Sequence, residues 1–144
     1  MNRGFQMNRS HGKHVYVDYV GFQPKHQSQG GHWMLSILQD AVNSCGIRAV
    51  HSHVEIFDGE SSPPGFAAVV LIDESHVSAH CYSDRGWLAI DAFTCGGHDP
   101  ENIVDIIHEI LTLSSPEIIQ MRRDTVDRFI HTRSGNEEEK NSVQ

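Results

Sequence analysis

Three consecutive strand-like segments in the middle of the chain, separated by short polar turns, limit its fold more than any other feature. Phe66 to Ile72 is a continuous apolar run suited to a buried strand, and His76 to Tyr82 alternates between apolar and polar residues. Trp87 to Phe93 is a further strand, which follows the turn Asp84-Arg85-Gly86. We therefore expect an antiparallel meander at the centre of the fold.

Two amphipathic helices are predicted, one on each side of this meander. His32 to Cys45 has apolar residues at spacings of three and four, and Gly46 supplies a left-handed stop. The second helix begins at Asp99-Pro100, an N-cap followed by proline at the first helical position. The apolar face of this second helix consists of Ile103, Ile106, Ile107, Ile110 and Leu111.

Three further strands complete the predicted sheet. Lys13 to Val20 alternates, with its apolar residues Val15, Val17 and Tyr19 on one face. Ile47 to Ile56 is typical of a strand, and the segment Gly59 to Gly65 that follows is rich in turn residues. Glu117 to Val126 is predicted to be the last strand.

These elements predict an α+β fold, a two-layer sandwich in which an antiparallel β-sheet carries two helices on one face. The other face of the sheet would remain open, and burying it against a second copy would complete the core, so we expect a homodimer. One domain is expected over residues 13–130. Residues 1–12 are expected to be a flexible leader, in which Met7 is an alternative start, and residues 131–144 a disordered tail.

Charge, hydropathy and cysteine spacing exclude several classes of protein. The formal charge of −8 argues against a nucleic-acid partner, because phosphate binding needs clustered lysines and arginines. No run of about eighteen apolar residues exists and residues 1–14 are polar, so neither membrane insertion nor export is expected. The three cysteines are widely spaced, which fits a reducing compartment. We expect a soluble, cytoplasmic protein.

Several candidate catalytic residues lie around the first turn of the meander. Asp73-Glu74-Ser75-His76, His80 and the segment Phe93 to Gly97 supply a hydroxyl, imidazoles and a thiol, which can serve as nucleophile, proton acceptor and proton donor. Taken alone, each histidine is typical of an ordinary sheet position. Glu74-Ser75, however, joins two strands, where a strained peptide bond can be held for attack by its own side chain. Ser75, His80 and Cys95 are therefore candidate site residues.

A metal site is the alternative interpretation of the histidines, which number eleven. His51 and His53 would point to the same face of a strand, a spacing that can hold a metal ion. No third ligand lies at a convincing spacing, and a solvated sheet face would place these two residues in the same way. No metal is predicted.

The block from Pro63 to Gly97 resembles the prokaryotic S-adenosylmethionine decarboxylase proenzymes. It shares with them a Pro-x-Gly turn, an apolar strand, Glu-Ser-His, a histidine five residues after the serine, and Asp-x-Phe-Thr-Cys-Gly. Gly12-Lys13-His14 is similar to the Gly-Arg-His at the start of that family's first strand. The resemblance covers about residues 12 to 125.

The resemblance implies a self-processing, pyruvoyl-dependent decarboxylase of polyamine biosynthesis. Cleavage between Glu74 and Ser75 would give a β chain, residues 1–74, and an α chain, residues 75–144, that begins with a pyruvoyl group derived from Ser75. The pyruvoyl group would form a Schiff base with the substrate amine. By resemblance His80 is the proton acceptor in processing, Cys95 is the proton donor in catalysis, and the active sites lie near the interface of a homodimer of αβ units.

The chain departs from the family's pattern at positions that affect processing and substrate binding. Ala67 replaces a serine that helps to position the processing histidine, and Asp84 replaces a longer carboxylate expected on the ribose hydroxyls. An aromatic residue that stacks on adenine is expected near Ser61, where only Phe57 or Phe66 is close. Asp84 and Phe66 are the candidate substrate contacts.

Three hypotheses remain open from the sequence. The first is conversion of S-adenosylmethionine to its decarboxylated form, the aminopropyl donor for spermidine, and carbon dioxide. The second keeps this chemistry with L-arginine or L-ornithine as the substrate. The third is a non-catalytic regulatory homologue that no longer cleaves itself, for which Ala67 is the motivation.

Overall fold

The computed structural model describes residues 10–23 and 30–130. It contains six strands and two helices in this part of the chain, in the order β1 (Ser10–Val20), α1 (Gly31–Ser44), β2 (His51–Phe57), β3 (Gly65–Ile72), β4 (Ser75–Tyr82), β5 (Trp87–Cys95), α2 (Pro100–Ser114) and β6 (Ile119–Ile130). The predicted tail at residues 131–144, and residues 1–9 of the predicted leader, lie outside the described residues.

The six strands form one sheet in the order β2-β3-β4-β5-β1-β6, and every neighbouring pair is antiparallel. The meander predicted from the sequence is confirmed, because β3, β4 and β5 are consecutive both in the chain and in the sheet. One end of the sheet therefore carries the β3–β4 turn, the end of β5 and the start of β1. The β4–β5 turn lies at the opposite end.

Both helices cover the same face of the sheet, so the two-layer α+β prediction is confirmed. Alternate residues of β3 are buried, namely Phe66, Ala68, Val70 and Ile72, and the same alternation holds in β4 and β5. These side chains form one core with the apolar stripes of α1 and α2. Buried residues recur at every second position in the strands and about every 3.6 positions in the helices, and both sets pack into one apolar layer between the sheet and the helices.

The helix ends follow the predicted capping chemistry. Asp99 caps α2, because its Oδ1 accepts a hydrogen bond of 3.0 Å from the Glu101 amide, and Pro100 occupies the first turn. Gly46, just after α1, adopts a left-handed conformation with φ of 74°. An ion pair joins α2 to the sheet, since Arg123 of β6 lies 2.7 Å from a Glu101 carboxylate oxygen.

The predicted strand limits are wrong in β1 and in the two edge strands, β2 and β6. β1 begins at Ser10, before the predicted start at Lys13, and so includes the end of the expected leader. β2 begins at His51, because the preceding segment from Ile47 crosses from α1 to the sheet. β6 extends to Ile130, beyond Val126. The edge strands β2 and β6 bury little surface, and their hydrophobic pattern therefore marks their limits poorly.

The sheet face opposite the helices carries large apolar side chains that no other described element covers. Leu71, Tyr82 and Trp87 of the central strands keep 42%, 42% and 46% of their surface exposed. His14 and Asp91 lie on the same face and form a hydrogen bond of 3.0 Å. Neither described helix is long and apolar enough to cross a membrane.

Candidate active site

The turn between β3 and β4 consists of only two residues, Asp73 and Glu74. Ile72 and Ser75 are the last paired residues of the two strands, so the Glu74–Ser75 peptide bond lies where the turn joins β4. Asp73 has a φ of 44°, a left-handed conformation that is uncommon outside glycine, although two-residue hairpins favour it. Arg48 donates a hydrogen bond of 2.8 Å to the Asp73 carboxylate from outside the turn.

Ser75 and Cys95 are brought together by the pairing of β4 with β5. The Cys95 amide donates a hydrogen bond of 3.1 Å to Ser75 Oγ. Both residues are partly buried, so neither is excluded from a small ligand. The predicted nucleophile toward the backbone and the predicted thiol donor are thus neighbours at one end of the sheet.

Gly12 makes room for the Cys95 thiol on the adjacent strand β1. The two residues are paired across the β1–β5 ladder. A Cβ atom at position 12 would lie 3.3 Å from Cys95 Sγ and 3.2 Å from both the Phe93 ring and the Thr94 carbonyl oxygen. These distances are tighter than ordinary contacts, so any larger residue at this position would press on the thiol.

A cleft of about 250 Å³ contains both Ser75 and Cys95. Its walls also include Ile47, the Asp73-Glu74 turn and the loop from Gly96 to His98. The loop is fixed to the sheet because Thr94, which is 2% exposed, donates a hydrogen bond of 2.8 Å to the His98 carbonyl oxygen. A second cavity of about 450 Å³ adjoins the cleft through the same loop and is lined by Lys13, Asp99 and Asp127.

His80 is not part of this cleft within a single chain. Five residues of β4 separate it from Ser75, which corresponds to about 16 Å along an extended strand. Ser75 shares its face with Val77 and Ala79, which are fully buried under the helices, whereas His80 lies exposed on the open face. One chain therefore provides Glu74, Ser75 and Cys95 together but leaves His80 apart.

A family model described as S-adenosylmethionine decarboxylase matches residues 13–124. The chain belongs to this family. The matched range includes the turn, the cleft and the open face of the sheet.

Several curated relatives in this family carry the name S-adenosylmethionine decarboxylase proenzyme. One from Methanococcus vannielii is 32% identical over 117 residues, which cover 81% of this chain and 92% of that protein. Another from Methanococcus aeolicus is 35% identical over 91 residues, covering 62% and 74% of the two chains. One from Brevibacillus brevis is 33% identical over 101 residues, covering 69% and 72%.

A solved structure confirms the fold independently. The crystal structure of the adenosylmethionine decarboxylase from Aquifex aeolicus superposes with a TM-score of 0.68 and covers 89% of this chain and 98% of that chain. The two sequences are 23% identical. The architecture of this family is therefore retained even where the sequences have diverged.

One departure from the family's sequence pattern lies beside His80. Ala67, which replaces the serine expected by resemblance, is the cross-strand partner of His80 on β3, and Ala89 is its partner on β5. Neither alanine offers a side-chain hydrogen bond. The imidazole of His80 consequently lacks the neighbouring hydroxyl that the pattern would supply within the sheet.

Within a single chain, the two predicted substrate contacts lie far from Ser75 in space. Asp84 belongs to the β4–β5 turn, at the opposite end of the sheet. Phe66 packs into the core and is only 4% exposed, so little of its ring is available to a ligand. A single chain therefore brings neither residue to the cleft.

Neither the Cys81 thiol nor the His53 imidazole belongs to the candidate site. Burial raises the pKa of the Cys81 thiol to about 12, which keeps it protonated and unreactive at neutral pH. His53 lies 2.9 Å from a Glu55 carboxylate oxygen rather than in a ligand cluster. Among the described residues, no group of three or more His, Cys, Asp or Glu side chains is arranged to hold a metal ion.

Sequence reasoning assigned no role to two residues that shape this region, Arg48 and His14. Arg48 contacts the turn from the α1–β2 segment, and on the open face the rings of His14 and His76 both pack against the ring of Phe93. The pKa of His76 is lowered, chiefly by burial and also by His14, while Asp91 opposes the shift. His14 belongs to the Gly12-Lys13-His14 motif, but no sequence pattern pointed to Arg48.

Proposed function

We propose that this chain is a self-processing, pyruvoyl-dependent decarboxylase that converts S-adenosylmethionine to decarboxylated S-adenosylmethionine and carbon dioxide. The observation that carries the proposal is the hydrogen bond of 3.1 Å between the Cys95 amide and Ser75 Oγ, directly after a two-residue turn. Ser75 contributes its hydroxyl next to the Glu74–Ser75 bond, and the contact from the Cys95 backbone brings that residue to the same end of the sheet. The names of the curated relatives support the choice of substrate.

Self-cleavage requires the Ser75 hydroxyl, a protein base and water. The Ser75 hydroxyl attacks the Glu74 carbonyl carbon, and the peptide C–N bond breaks as an ester forms and the Ser75 nitrogen becomes a free amine. A base then removes the Ser75 α-proton, which expels the Glu74 carboxylate and leaves dehydroalanine. Water hydrolyses this residue to a pyruvoyl group and releases ammonia.

The residues around Ser75 fit the pyruvoyl group that this reaction would produce. The group would lie at the amino-terminal end of β4, in a cleft of about 250 Å³ that is open to a small molecule. Its carbonyl supplies the electron sink that decarboxylation of an α-amino acid requires. Cys95 lines the same cleft.

Cys95 is proposed to return a proton to the substrate α-carbon after carbon dioxide leaves. Its thiol lies at the end of β5, in space that Gly12 leaves clear. Of the two other cysteines, Cys81 is buried in the core and Cys45 lies at the end of α1. Cys95 is thus the thiol that shares a cleft with Ser75.

We propose further that the active unit is a homodimer of αβ units formed through the open sheet face. Leu71, Tyr82 and Trp87 give that face apolar surface to bury. His80 lies on it and is separated from its own Ser75 by about 16 Å of strand. A base for processing is therefore better supplied by His80 of the partner subunit than by the same chain. Asp84, close to His80 along the chain, would reach the substrate in the same way.

Intact-mass measurement of the purified protein tests self-cleavage. Two chains are expected, one ending at Glu74 and one beginning with a pyruvoyl group in place of Ser75. A single uncut chain of full mass would contradict the proposal.

Release of labelled carbon dioxide tests the substrate. S-adenosylmethionine, L-arginine and L-ornithine, each labelled in the carboxyl group, are supplied to equal amounts of cleaved protein. Turnover of S-adenosylmethionine is expected. Turnover of L-arginine or L-ornithine alone would overturn the choice of substrate while leaving the pyruvoyl chemistry intact.

A further inference from the structure

An ion pair holds the turn that contains the proposed scissile bond. Arg48 Nη2 lies 2.8 Å from Asp73 Oδ1, and Asp73 immediately precedes Glu74. Asp73 and Phe129 are the two described residues other than glycine that have a positive φ. The ion pair therefore acts on the one residue of the turn whose backbone is in the left-handed region.

Arg48 is carried by a segment that is itself fixed to the sheet. Ile47 is 6% exposed and belongs to the core, and the Val50 amide donates a hydrogen bond of 2.7 Å to the carbonyl oxygen of Leu71 in β3. Ile47 also lines the cleft that contains Ser75. The Arg48 guanidinium thus reaches the turn from a backbone segment that is anchored in the core and forms part of the cleft wall.

A general role in stability does not account for this contact well. The Arg48 and Asp73 side chains are 75% and 53% exposed, and exposed ion pairs contribute little to folding. The ion pair can instead control the conformation of the turn, because a two-residue turn can join its two strands in only a few backbone conformations. Loss of the carboxylate contact would let Asp73 leave the left-handed region and would rotate the Glu74 carbonyl group relative to Ser75 Oγ.

We propose that Arg48 is a positioning residue for self-cleavage: through the Asp73 carboxylate it holds the turn in the conformation that presents the Glu74–Ser75 bond to the Ser75 hydroxyl. This inference depends on the self-cleavage proposed above. Arg48 takes no part in proton transfer or bond formation. Arg48 instead increases the fraction of uncleaved chains in which the turn has the reactive geometry.

The test follows the rate of cleavage in freshly translated full-length chains by gel and intact mass. Arg48→Gln removes the guanidinium, and Asp73→Asn removes the carboxylate while keeping a residue that tolerates the left-handed conformation. Each substitution is expected to slow cleavage about two- to fivefold, the range for an exposed ion pair. The double variant is expected to be no slower than either single variant, because both remove the same contact. Arg48→Lys should recover part of the rate.

Arg122→Gln is the matched control. Arg122 forms an ion pair of 2.6 Å with Asp124, with side chains 62% and 43% exposed, on β6 rather than near the turn. This variant is expected to cleave at the wild-type rate. Thermal melting of uncleaved chains, made with Ser75→Ala as background, should show equal stability with and without Arg48→Gln.

Three results would overturn the inference. They are cleavage of Arg48→Gln at the wild-type rate, rate losses that multiply in the double variant, and a loss of melting temperature in Arg48→Gln that accounts for its slower cleavage. Absence of cleavage in the wild-type chain would instead contradict the proposed function. The two failures are therefore distinguishable in one experiment.

Discussion

The amide of Cys95 donates its hydrogen bond to Ser75 Oγ across the junction of β4 and β5, at 3.1 Å. The contact fixes the hydroxyl at the end of a hairpin before any cleavage takes place. It also means that the residue proposed to make the prosthetic group and the residue proposed to serve it share one strand pair. Processing and turnover can therefore be separated by substitutions at these two positions.

Ser75→Ala is expected to abolish cleavage completely, because alanine has no nucleophile for the Glu74 carbonyl. The fold should persist, since the serine oxygen accepts one hydrogen bond whose loss costs about 1 kcal/mol. Intact mass would show one uncut chain, and circular dichroism would show native content. Ser78→Ala, on the same strand, is the control and should cleave normally.

Cys95→Ala is expected to leave cleavage in place and to impair turnover. The amide that contacts Ser75 belongs to the backbone and survives the substitution, whereas the thiol is lost. Removal of a general acid typically lowers kcat by about a hundredfold or more. Carbon dioxide release per pyruvoyl-containing chain measures the effect, with Cys45→Ala as control. Unchanged turnover in Cys95→Ala would refute the assignment of the proton donor.

The contrast between Ser75–Cys95 and Ser75–His80 shows what could be predicted from the sequence. The central strands were predicted well because their inner residues alternate, and α2 was predicted well because Asp99-Pro100 marks its start. The same alternation implies that residues 75 and 80, an odd number of positions apart, face opposite ways. The contact between Ser75 and Cys95 depends on the register in which β4 pairs with β5 and on the conformation of the connecting loop. Neither can be predicted from the local hydrophobic pattern.

Gly12→Val is expected to reduce turnover more than cleavage. A Cβ atom at this position would lie 3.3 Å from Cys95 Sγ, and the two further methyl groups of valine add to the crowding. Ser75 does not contact this position. The ratio of turnover to cleavage should therefore fall from glycine to alanine to valine. A parallel fall in melting temperature and in both rates would indicate general disruption instead.

His80 can be assigned to its own chain or to a partner by complementation. His80→Ala and Ser75→Ala should each remain uncut when expressed alone. Co-expression of the two variants gives mixed dimers, in which the His80→Ala chain retains Ser75 and meets His80 of the partner subunit. With random pairing in a twofold dimer, about half of the His80→Ala chains should then be cleaved.

One outcome of the co-expression experiment would contradict the assignment of His80 to the partner subunit. If His80 acts only on its own chain, no His80→Ala chain is cleaved in the mixture, although mixed dimers form. Separating the variants by mass identifies which chain is cut. A light-scattering measurement of oligomeric state accompanies the experiment, because a monomer would rule out complementation and the dimer together.

Glu101 gives the fold a stability that depends on pH. Its pKa is lowered from its ordinary value of 4.5 by hydrogen bonds from Thr125 and then Arg123, and burial opposes the shift. Because the folded pKa lies below the unfolded one, the stabilisation is complete above about pH 4.5 and is lost as pH falls through the folded pKa. Glu101→Gln should therefore lower the free energy of unfolding by about 1 kcal/mol at pH 7.

Urea unfolding of the wild type and of Glu101→Gln over a series of pH values measures this dependence. The difference between them should be largest at neutral pH and should shrink as the buffer is made more acidic than pH 4.5, where the wild-type carboxylate becomes protonated. Glu109→Gln, on the exposed side of α2, is the matched control and should follow the wild type at every pH. A difference that stays constant down to pH 3 would mean that the Glu101 contacts with Arg123 and Thr125 act through shape rather than through charge.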